Sequence, residues 1–170
     1  QSIYKYDDNG NKIEIILNGP DGKMQEKFTY KYDENKNQIE RITYNPKGKL
    51  LYKLASKYDS FGRLIDETLY DAEGSINVKR ISKYDDNGNP IEVTKYKSDG
   101  SVDDKYKSKY NDNGNEIEET KYDSDGRIMW RNTYNYNDSG NRIEATGYTP
   151  DGSKRGIIKY DTSRNIIEEV

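Results

Sequence analysis

Two pairs of adjacent carboxylates are the first residues in this chain whose types suggest chemistry. They stand at Glu118 and Glu119 and at Glu168 and Glu169. Paired carboxyl groups hydrolyse glycosides when they flank one bond in a cleft and one of them has a raised pKa. Neighbouring residues of a β-strand point to opposite faces, however, so neither pair converges if it lies on a strand. The chain also lacks histidine, the commonest general base, and we predict no catalytic residues and no enzymatic activity.

Turns rich in Asp and Asn suggest calcium binding as a second kind of chemistry. Residues 7–11 read Asp-Asp-Asn-Gly-Asn. An EF-hand loop needs glycine at its sixth position and a bidentate glutamate at its twelfth, whereas here Gly10 is fourth from Asp7 and Asn18 is twelfth. Asn, Asp and Gly are also the ordinary residues of tight turns. We therefore predict turns rather than metal sites, and no cofactor.

Aromatic and basic columns suggest two further kinds of site. Trp130, Tyr134 and Tyr136 fall on one face of a predicted strand and form the predicted ligand platform, for carbohydrate in particular. Most tyrosines recur regularly, which is typical of packing on a half-buried sheet face.

A lysine column that begins at Lys5 and Lys31 resembles a basic stripe for nucleic acid. Acids interleave that column and the net charge is −3, so we predict no nucleic-acid partner.

The elements that position these residues follow from an internal repeat. Tyrosines followed by Asp or Asn recur every 26 residues, and a seventh copy follows after 24. Such a period indicates one small unit repeated along the chain, and we predict a single repeat domain over residues 1–170. The repeats begin near Tyr6, Tyr32, Tyr58, Tyr84, Tyr110, Tyr136 and Tyr160.

Turn residues punctuate every repeat twice. Eleven of the 14 glycines lie four residues after the position of a periodic tyrosine, where a turn needs a left-handed residue. Lys36 and Arg164 take that glycine position in two copies. A side chain there costs roughly 1 kcal/mol, so we expect these two turns to be looser or of another type.

Between the turns the residues alternate as they do in β-strands. Fourteen extended segments are separated by short turns, and no helical period is visible. We predict an all-β fold in which tandem 26-residue β-hairpins form one elongated, twisted antiparallel meander sheet of about 14 strands. Hairpin register should place Lys5 opposite Glu14 and Tyr6 opposite Ile13. One face should then be apolar and the other charged.

Composition agrees with a thin repeat sheet. Hydrophobic residues make up 31% of the chain and charged residues 35%, which is too little apolar material for a thick core. Aromatic residues, at 12%, distinguish the chain from disordered ones. No apolar run approaches the roughly 18 residues of a membrane span, and we predict none.

The Tyr-Asp-x-x-Gly-Asn units, which run from Tyr6 to Asn165, resemble the YD repeats of bacterial Rhs-type and related cell-surface proteins. They also resemble short bacterial repeats grouped with MORN-like β-hairpins. The resemblance implies strings of β-hairpins in secreted or surface-exposed proteins, which in Rhs proteins spiral into a shell around a toxin. It implies a scaffold role and an extracellular, cell-surface or periplasmic location in bacteria. We expect this chain, which shows no toxin domain, to be too short to enclose one.

The two outermost segments offer edges for assembly. An open sheet leaves unpaired hydrogen-bonding groups at its edge strands, and the repeat alignment lets one edge continue the other. The predicted assembly edges are Ser2, Ile3, Tyr4, Lys5 and Tyr6, and Ile166, Ile167, Glu168, Glu169 and Val170.

These observations favour a non-catalytic structural or interaction module of a bacterial secreted or surface protein. Its predicted partner is a second copy, bound head-to-tail through edge strands into a filament or through the apolar face. The alternative is a module that recognises carbohydrate or protein through its Tyr and Trp ladders.

Overall fold

A computed structural model describes residues 1–161, 163 and 165–169 of the chain. The described residues form fourteen β-strands and no helix, which confirms the predicted all-β class. The strands are β1 (Ser2–Tyr6), β2 (Lys12–Asn18), β3 (Met24–Tyr32), β4 (Gln38–Tyr44), β5 (Leu50–Tyr58), β6 (Leu64–Tyr70), β7 (Ile76–Tyr84), β8 (Pro90–Tyr96), β9 (Val102–Tyr110), β10 (Glu116–Tyr122), β11 (Ile128–Tyr136), β12 (Arg142–Tyr148), β13 (Lys154–Tyr160) and β14 (Ile166–Glu169).

The strands belong to one 14-stranded sheet, and their order in the sheet is their order along the chain. This is the predicted antiparallel meander. Contacts divide the chain into two compact units, Gln1–Ile81 with Lys97–Gly100, and Ser82–Tyr96 with Ser101–Val170. Within each unit, successive strands pair as hairpins, because short turns join neighbouring antiparallel strands.

Most of the described turns share one hydrogen-bonding pattern. In the first, the Gly10 N–H donates to the Asp7 carbonyl at 3.0 Å and the Asp7 N–H donates to the Asn11 carbonyl at 2.9 Å. The Asp7 carboxylate also accepts from the N–H groups of Asn9 and Asn11. Gly10 has a φ of 79°, and the ten other glycines at this position also have positive φ. A left-handed residue is what this hairpin loop requires.

Lys36 occupies the same left-handed position without being glycine. Its φ is 65°, its N–H donates to the Asp33 carbonyl at 3.1 Å, and the Asp33 N–H donates to the Asn37 carbonyl at 3.0 Å. The expectation of a looser or different turn was therefore wrong at Lys36, because the surrounding hydrogen bonds hold it in the common form. Arg164 lies outside the described residues, as does Val170 of the predicted edge.

Each described hairpin carries a β-bulge beside its turn. Lys5 pairs with Glu14 as predicted, but Tyr6 pairs with Lys12 rather than Ile13. Ile13 is therefore the extra residue of a bulge. At the next turn Leu17 pairs with Glu26 and Asn18 with Met24, so Gln25 is the extra residue there. A bulge interrupts strict alternation, which the predicted register did not include.

The two faces of the sheet carry different side chains. The face that bears Lys5 and Glu14 is charged, as predicted. The opposite face is mixed rather than apolar, since Arg41 pairs there with Leu54 and Lys121 with Trp130. Among the described residues, no hydrophobic side chain is buried. The deepest side chains are small and polar: Thr43, Ser56, Thr68, Thr94, Thr120 and Thr146.

Candidate functional site

The charged face is an ordered array in which an acid lies between cations of the two flanking strands. Glu14 lies 2.6 Å from Lys5 and 2.7 Å from Lys27. The same arrangement places Asp66 beside Lys57 and Lys79 at 4.0 and 3.1 Å. Later copies are Lys83–Glu92–Lys107 and Lys109–Glu118–Arg131. The lysine column is thus neutralised locally, which leaves no basic stripe along this face.

These contacts shift the titration of the groups involved. Hydrogen bonds from Lys27 and Lys5 hold the pKa of Glu14 below its usual value. A hydrogen bond from Lys83 does the same for the pKa of Glu92, and Glu92 raises the pKa of Lys83 in return. Exposed ion pairs contribute only about 0–1 kcal/mol each, so their main effect is on strand register.

The tyrosines at the second turn of several repeats stack against cations of the charged face. The Lys27 ammonium lies 5.5 Å from the ring centroid of Tyr44, and the Lys53 ammonium lies 4.5 Å from that of Tyr70. Arg131 lies 4.4 Å from the Tyr148 ring. These rings are engaged in cation–π contacts between strands, so their role is packing.

The tyrosines at the first turn join one repeat to the next. The Tyr32 hydroxyl donates to the Lys12 carbonyl at 2.9 Å. Three further hydroxyls donate to the carbonyl twenty residues earlier, from Tyr58 to Gln38, Tyr110 to Pro90 and Tyr136 to Glu116. Each receiving residue begins a strand beside a bulge. The periodic tyrosines are therefore structural, and Tyr136 of the predicted platform is one of them.

The acidic candidates do not converge. Glu118 faces Lys109 at 2.8 Å, whereas Glu119 faces the other side, opposite Ser108 and Asn132. Burial raises the pKa of Glu119, and the charge of Glu116 adds to this. Among described residues, no three acids lie close enough together to hold a metal ion. The turn aspartates instead accept backbone hydrogen bonds.

The predicted platform residues separate into two places on one face of β11. The Trp130 ring meets Tyr106 edge-on, with centroids 6.1 Å apart. Tyr134 and Tyr136 lie farther along the strand, where Arg142 pairs with Tyr136. The guanidinium of Arg142 lies 5.2 Å from the Tyr134 ring centroid. Tyr134 and Tyr136 are thus joined through Arg142, while Trp130 belongs to another aromatic contact.

A groove of about 480 Å³ crosses β11–β14 on this same face. Its walls include Tyr134, Arg142, Arg155 and Tyr160, and Glu169 lies at its edge. Within the residues that the structure describes, neither arginine has an acidic partner at ion-pair distance. A smaller cavity beyond Arg142 is lined by Tyr136 and Tyr160.

Two glycines create the groove. Gly147 and Gly156 pair across β12 and β13, in the middle of strands where glycine is unusual. In all the other described repeats, the two positions equivalent to Gly147 and Gly156 carry side chains. The pairs are Leu17 with Glu26, Thr43 with Tyr52, Leu69 with Val78, Lys95 with Asp104, and Lys121 with Trp130. Sequence reasoning missed this site, although aligning the repeats exposes the two glycines.

The predicted assembly edges are exposed. In β1, Ile3 is 44%, Tyr4 48% and Tyr6 56% exposed, and in β14, Ile166 is 58% and Ile167 64% exposed. Lys5 and Glu168 instead make ion pairs within their own hairpins, to Glu14 and Lys159.

Comparison with known proteins identifies the fold. No protein-family model matches the chain, and no curated protein matches it. The structure of the Photorhabdus luminescens Tc holotoxin pore aligns with a TM-score of 0.56 at 13% identity, over 93% of this chain and 9% of that chain. The crystal structure of TcdB2-TccC3 aligns with a TM-score of 0.54 at 14% identity, over 96% and 10%.

At these identities the similarity shows the fold alone, and this chain spans about a tenth of each matched chain. The match agrees with the β-repeat fold that the resemblance to Rhs-type YD repeats implies, whereas nothing supports the MORN-like grouping. Among the described residues, no helix is suited to crossing a membrane. The chain therefore has the β-repeat fold seen in parts of these toxin structures.

Proposed function

We propose that this chain is a non-catalytic structural repeat module of the Rhs type, in a bacterial secreted or surface protein. The observation that carries the proposal is the hydroxyl link that joins four repeats to the one before, such as Tyr32 to the Lys12 carbonyl. The repeat-to-repeat contacts consist of such links, ion pairs and strand pairing. The secreted toxin structures that share the fold support an extracellular or surface location.

The finer proposal is head-to-tail assembly through β1 and β14. In the repeat alignment, Ile166 is equivalent to Lys12 and Glu169 to Ile15, while Ser2 is equivalent to Phe28. Ile15 lies opposite Phe28 within the chain, so Glu169 of one copy would lie opposite Ser2 of the next copy. The Tyr6 hydroxyl of that second copy would then donate to the Ile166 carbonyl. The same contacts that join repeats within the chain would thus join copies.

The test is the mass of the 170-residue chain in solution as a function of dilution, measured by light scattering. Assembly predicts large species that dissociate on dilution, whereas a monomer at every concentration would refute it. The Asp161 N–H donates across the turn to the Asn165 carbonyl. Alternation along β13 then leaves Ile158 and Glu169 as a pair that is not hydrogen-bonded within the hairpin, so the Glu169 N–H faces the open edge. Glu169→Pro removes that donor and should abolish the large species.

Two further variants sharpen the test. Tyr6→Phe deletes only the linking hydroxyl and should weaken association about fivefold, the effect of one hydrogen bond of about 1 kcal/mol. Ser124→Pro is the control, since Ser124 has the turn position that Pro46 occupies in an earlier copy. It should leave assembly unchanged, and an equal loss in this control would mean that proline acts through misfolding.

The second candidate function is recognition of a carbohydrate or protein by the aromatic face. The groove beside Tyr134 is the specific observation that favours it. If the chain has this function, it should be a monomer at all concentrations and should bind polysaccharide. Trp130→Ala should weaken that binding if Trp130 belongs to the platform. Unchanged binding in that variant would remove Trp130 from the platform.

A further inference from the structure

Arg142 and Arg155 stand at the two sides of a groove whose floor lacks side chains at Gly147 and Gly156. We propose that this groove binds a carboxylate-bearing sugar unit of an acidic polysaccharide. The inference deepens the recognition function and names its ligand class and its residues. It does not depend on assembly.

Arg142 is held in place before any ligand arrives. Its guanidinium lies 5.2 Å from the ring centroid of Tyr134 and 5.1 Å from that of Tyr160. Two cation–π contacts restrict the rotamers of a long side chain, which lowers the entropic cost of using it to bind. A guanidinium presents paired N–H donors that match the two oxygens of a carboxylate.

Arg155 and Asn132 converge on the space above Gly147. A Cβ atom at Gly147 would lie 3.5 Å from Nε and Nη2 of Arg155 and 3.5 Å from Oδ1 of Asn132. These are ordinary van der Waals distances, and Gly147 does not have a positive φ. Neither backbone strain nor steric conflict therefore requires glycine here. Its effect is to let the Arg155 guanidinium and the Asn132 amide lie close against the backbone at the floor of the groove.

The chemistry of the groove walls favours an acidic sugar over other anionic ligands. The floor is apolar, made by Gly147, Gly156 and Ala145, while the rim is polar, with Asn132 and the two arginines. A pyranose ring has an apolar face and a hydroxylated rim, so it matches both surfaces. A volume of about 480 Å³ lies within the range of small-ligand sites.

Glu169 limits the density of negative charge that the groove can accept in a ligand. It lines the same groove and reduces the local positive charge from two to one. A polymer with one carboxylate per sugar therefore fits better than a densely sulfated one, whose extra anions would meet Glu169. A lone inorganic anion would make no use of the apolar floor.

Equilibrium binding to the full chain by titration calorimetry tests the proposal. The probes are an oligogalacturonate, an uncharged xylo-oligosaccharide of equal length, an oligo-aspartate peptide and inorganic phosphate. We expect binding of the oligogalacturonate alone, weakening as salt is raised. Equal affinity for the uncharged sugar, the peptide or phosphate would overturn the assignment to acidic sugar.

Three variants locate the binding. Gly147→Leu fills the floor with the residue found at the equivalent positions Leu17 and Leu69, and Arg155→Gln removes one guanidinium. Each should weaken binding at least about tenfold, as expected for the loss of a charge-assisted contact or of the cavity. Arg127→Gln is the matched control, because it removes the same charge from an exposed turn where Arg127 pairs with Asp125. It should change affinity by less than about twofold.

The outcomes separate this inference from the function on which it rests. If Trp130→Ala abolishes oligogalacturonate binding and both groove variants leave it intact, the chain recognises carbohydrate elsewhere and the groove assignment is wrong. If no saccharide binds, the groove assignment and the recognition of carbohydrate both fail. Should Gly147→Leu not fold, as judged by circular dichroism, Arg155→Gln alone decides the question.

Discussion

Thr43 is the most deeply buried side chain that the structure describes, and it is polar. It is 0% exposed, and its Oγ1 has no hydrogen-bond partner in the described part of the chain. Phe28 and Tyr52 flank it on the neighbouring strands. A buried hydroxyl without a partner costs free energy, so this position is a site of local instability.

Replacement of Thr43 should therefore stabilise the protein. Thr43→Val keeps the shape and removes the unpaired hydroxyl, and we expect the free energy of unfolding to rise by about 1 kcal/mol. The control is Thr68→Val, because the Thr68 hydroxyl donates to Asp66 at 3.0 Å and its loss should destabilise. Urea titration of both variants measures the difference. Equal effects in the two variants would contradict the argument.

Lys36 is strained for a different reason, its φ of 65°. Lys36→Gly should stabilise the chain by about 0.5–1 kcal/mol, since glycine adopts this conformation without steric cost. Lys47→Gly removes a lysine from a turn position without positive φ and should give no gain, because glycine there only adds freedom to the unfolded chain. Thermal or urea unfolding distinguishes the two. A gain in Lys47→Gly as well would point to the lysine charge instead.

Within a hairpin, the turn carboxylates make stability depend on pH. Hydrogen bonds from the Asn11 side chain and from backbone N–H groups hold the pKa of Asp7 below 3.8, its ordinary value. The pKa values of Asp33 and Asp85 are lowered by the equivalent asparagines, Asn37 and Asn89. Because the folded-state pKa is depressed, this stabilisation is present above the unfolded pKa and disappears as pH falls through the folded value.

The free energy of unfolding should accordingly fall between about pH 5 and pH 2. Replacing Asp7, Asp33 and Asp85 together by Asn keeps an oxygen acceptor at each turn, as Asn111 and Asn137 already provide. The triple variant should lose less stability over this range than the natural sequence. An unchanged pH profile would show that other carboxylates, such as Glu14, carry the dependence.

Across the repeats, a 26-residue period means that a whole unit can be removed without changing register. Deletion of residues 33–58 joins Tyr32 to Asp59 and leaves Lys31 to pair with Asp66, as Lys57 does now. We expect a folded chain with an m-value reduced by about 15%, in proportion to the surface lost. Deletion of residues 33–57 is the control, since it places Tyr32 opposite Asp66 and turns β3 to the wrong face. That chain should lose its cooperative unfolding transition, and equal stability of both would refute neighbour-specific packing.

Much of the architecture was predictable because turn chemistry is local. The spacing of glycine predicted the eleven turns that contain a glycine with positive φ, and the opposition of Lys5 and Glu14 followed from hairpin geometry. The bulge at Ile13 was not predicted, since strict alternation was assumed up to the turn and a bulge interrupts it. The mixed face has a different cause, because Arg41 and Lys121 lie on it by simple alternation. Trp130 lies apart from Tyr134 because they are four residues apart along β11.

The chain's order of residues determines its strands, its turns and its repeat period, because these depend on neighbours a few positions away. Three features depend on residues from different strands: the hydroxyl link from Tyr32 to the Lys12 carbonyl, the stacking of Arg142 on Tyr134 and Tyr160, and the approach of Arg155 and Asn132 to Gly147. Such features emerge only when pairing and bulges bring those strands together, since each bulge shifts which side chains meet. The groove therefore belongs to the folded sheet rather than to any one segment of it.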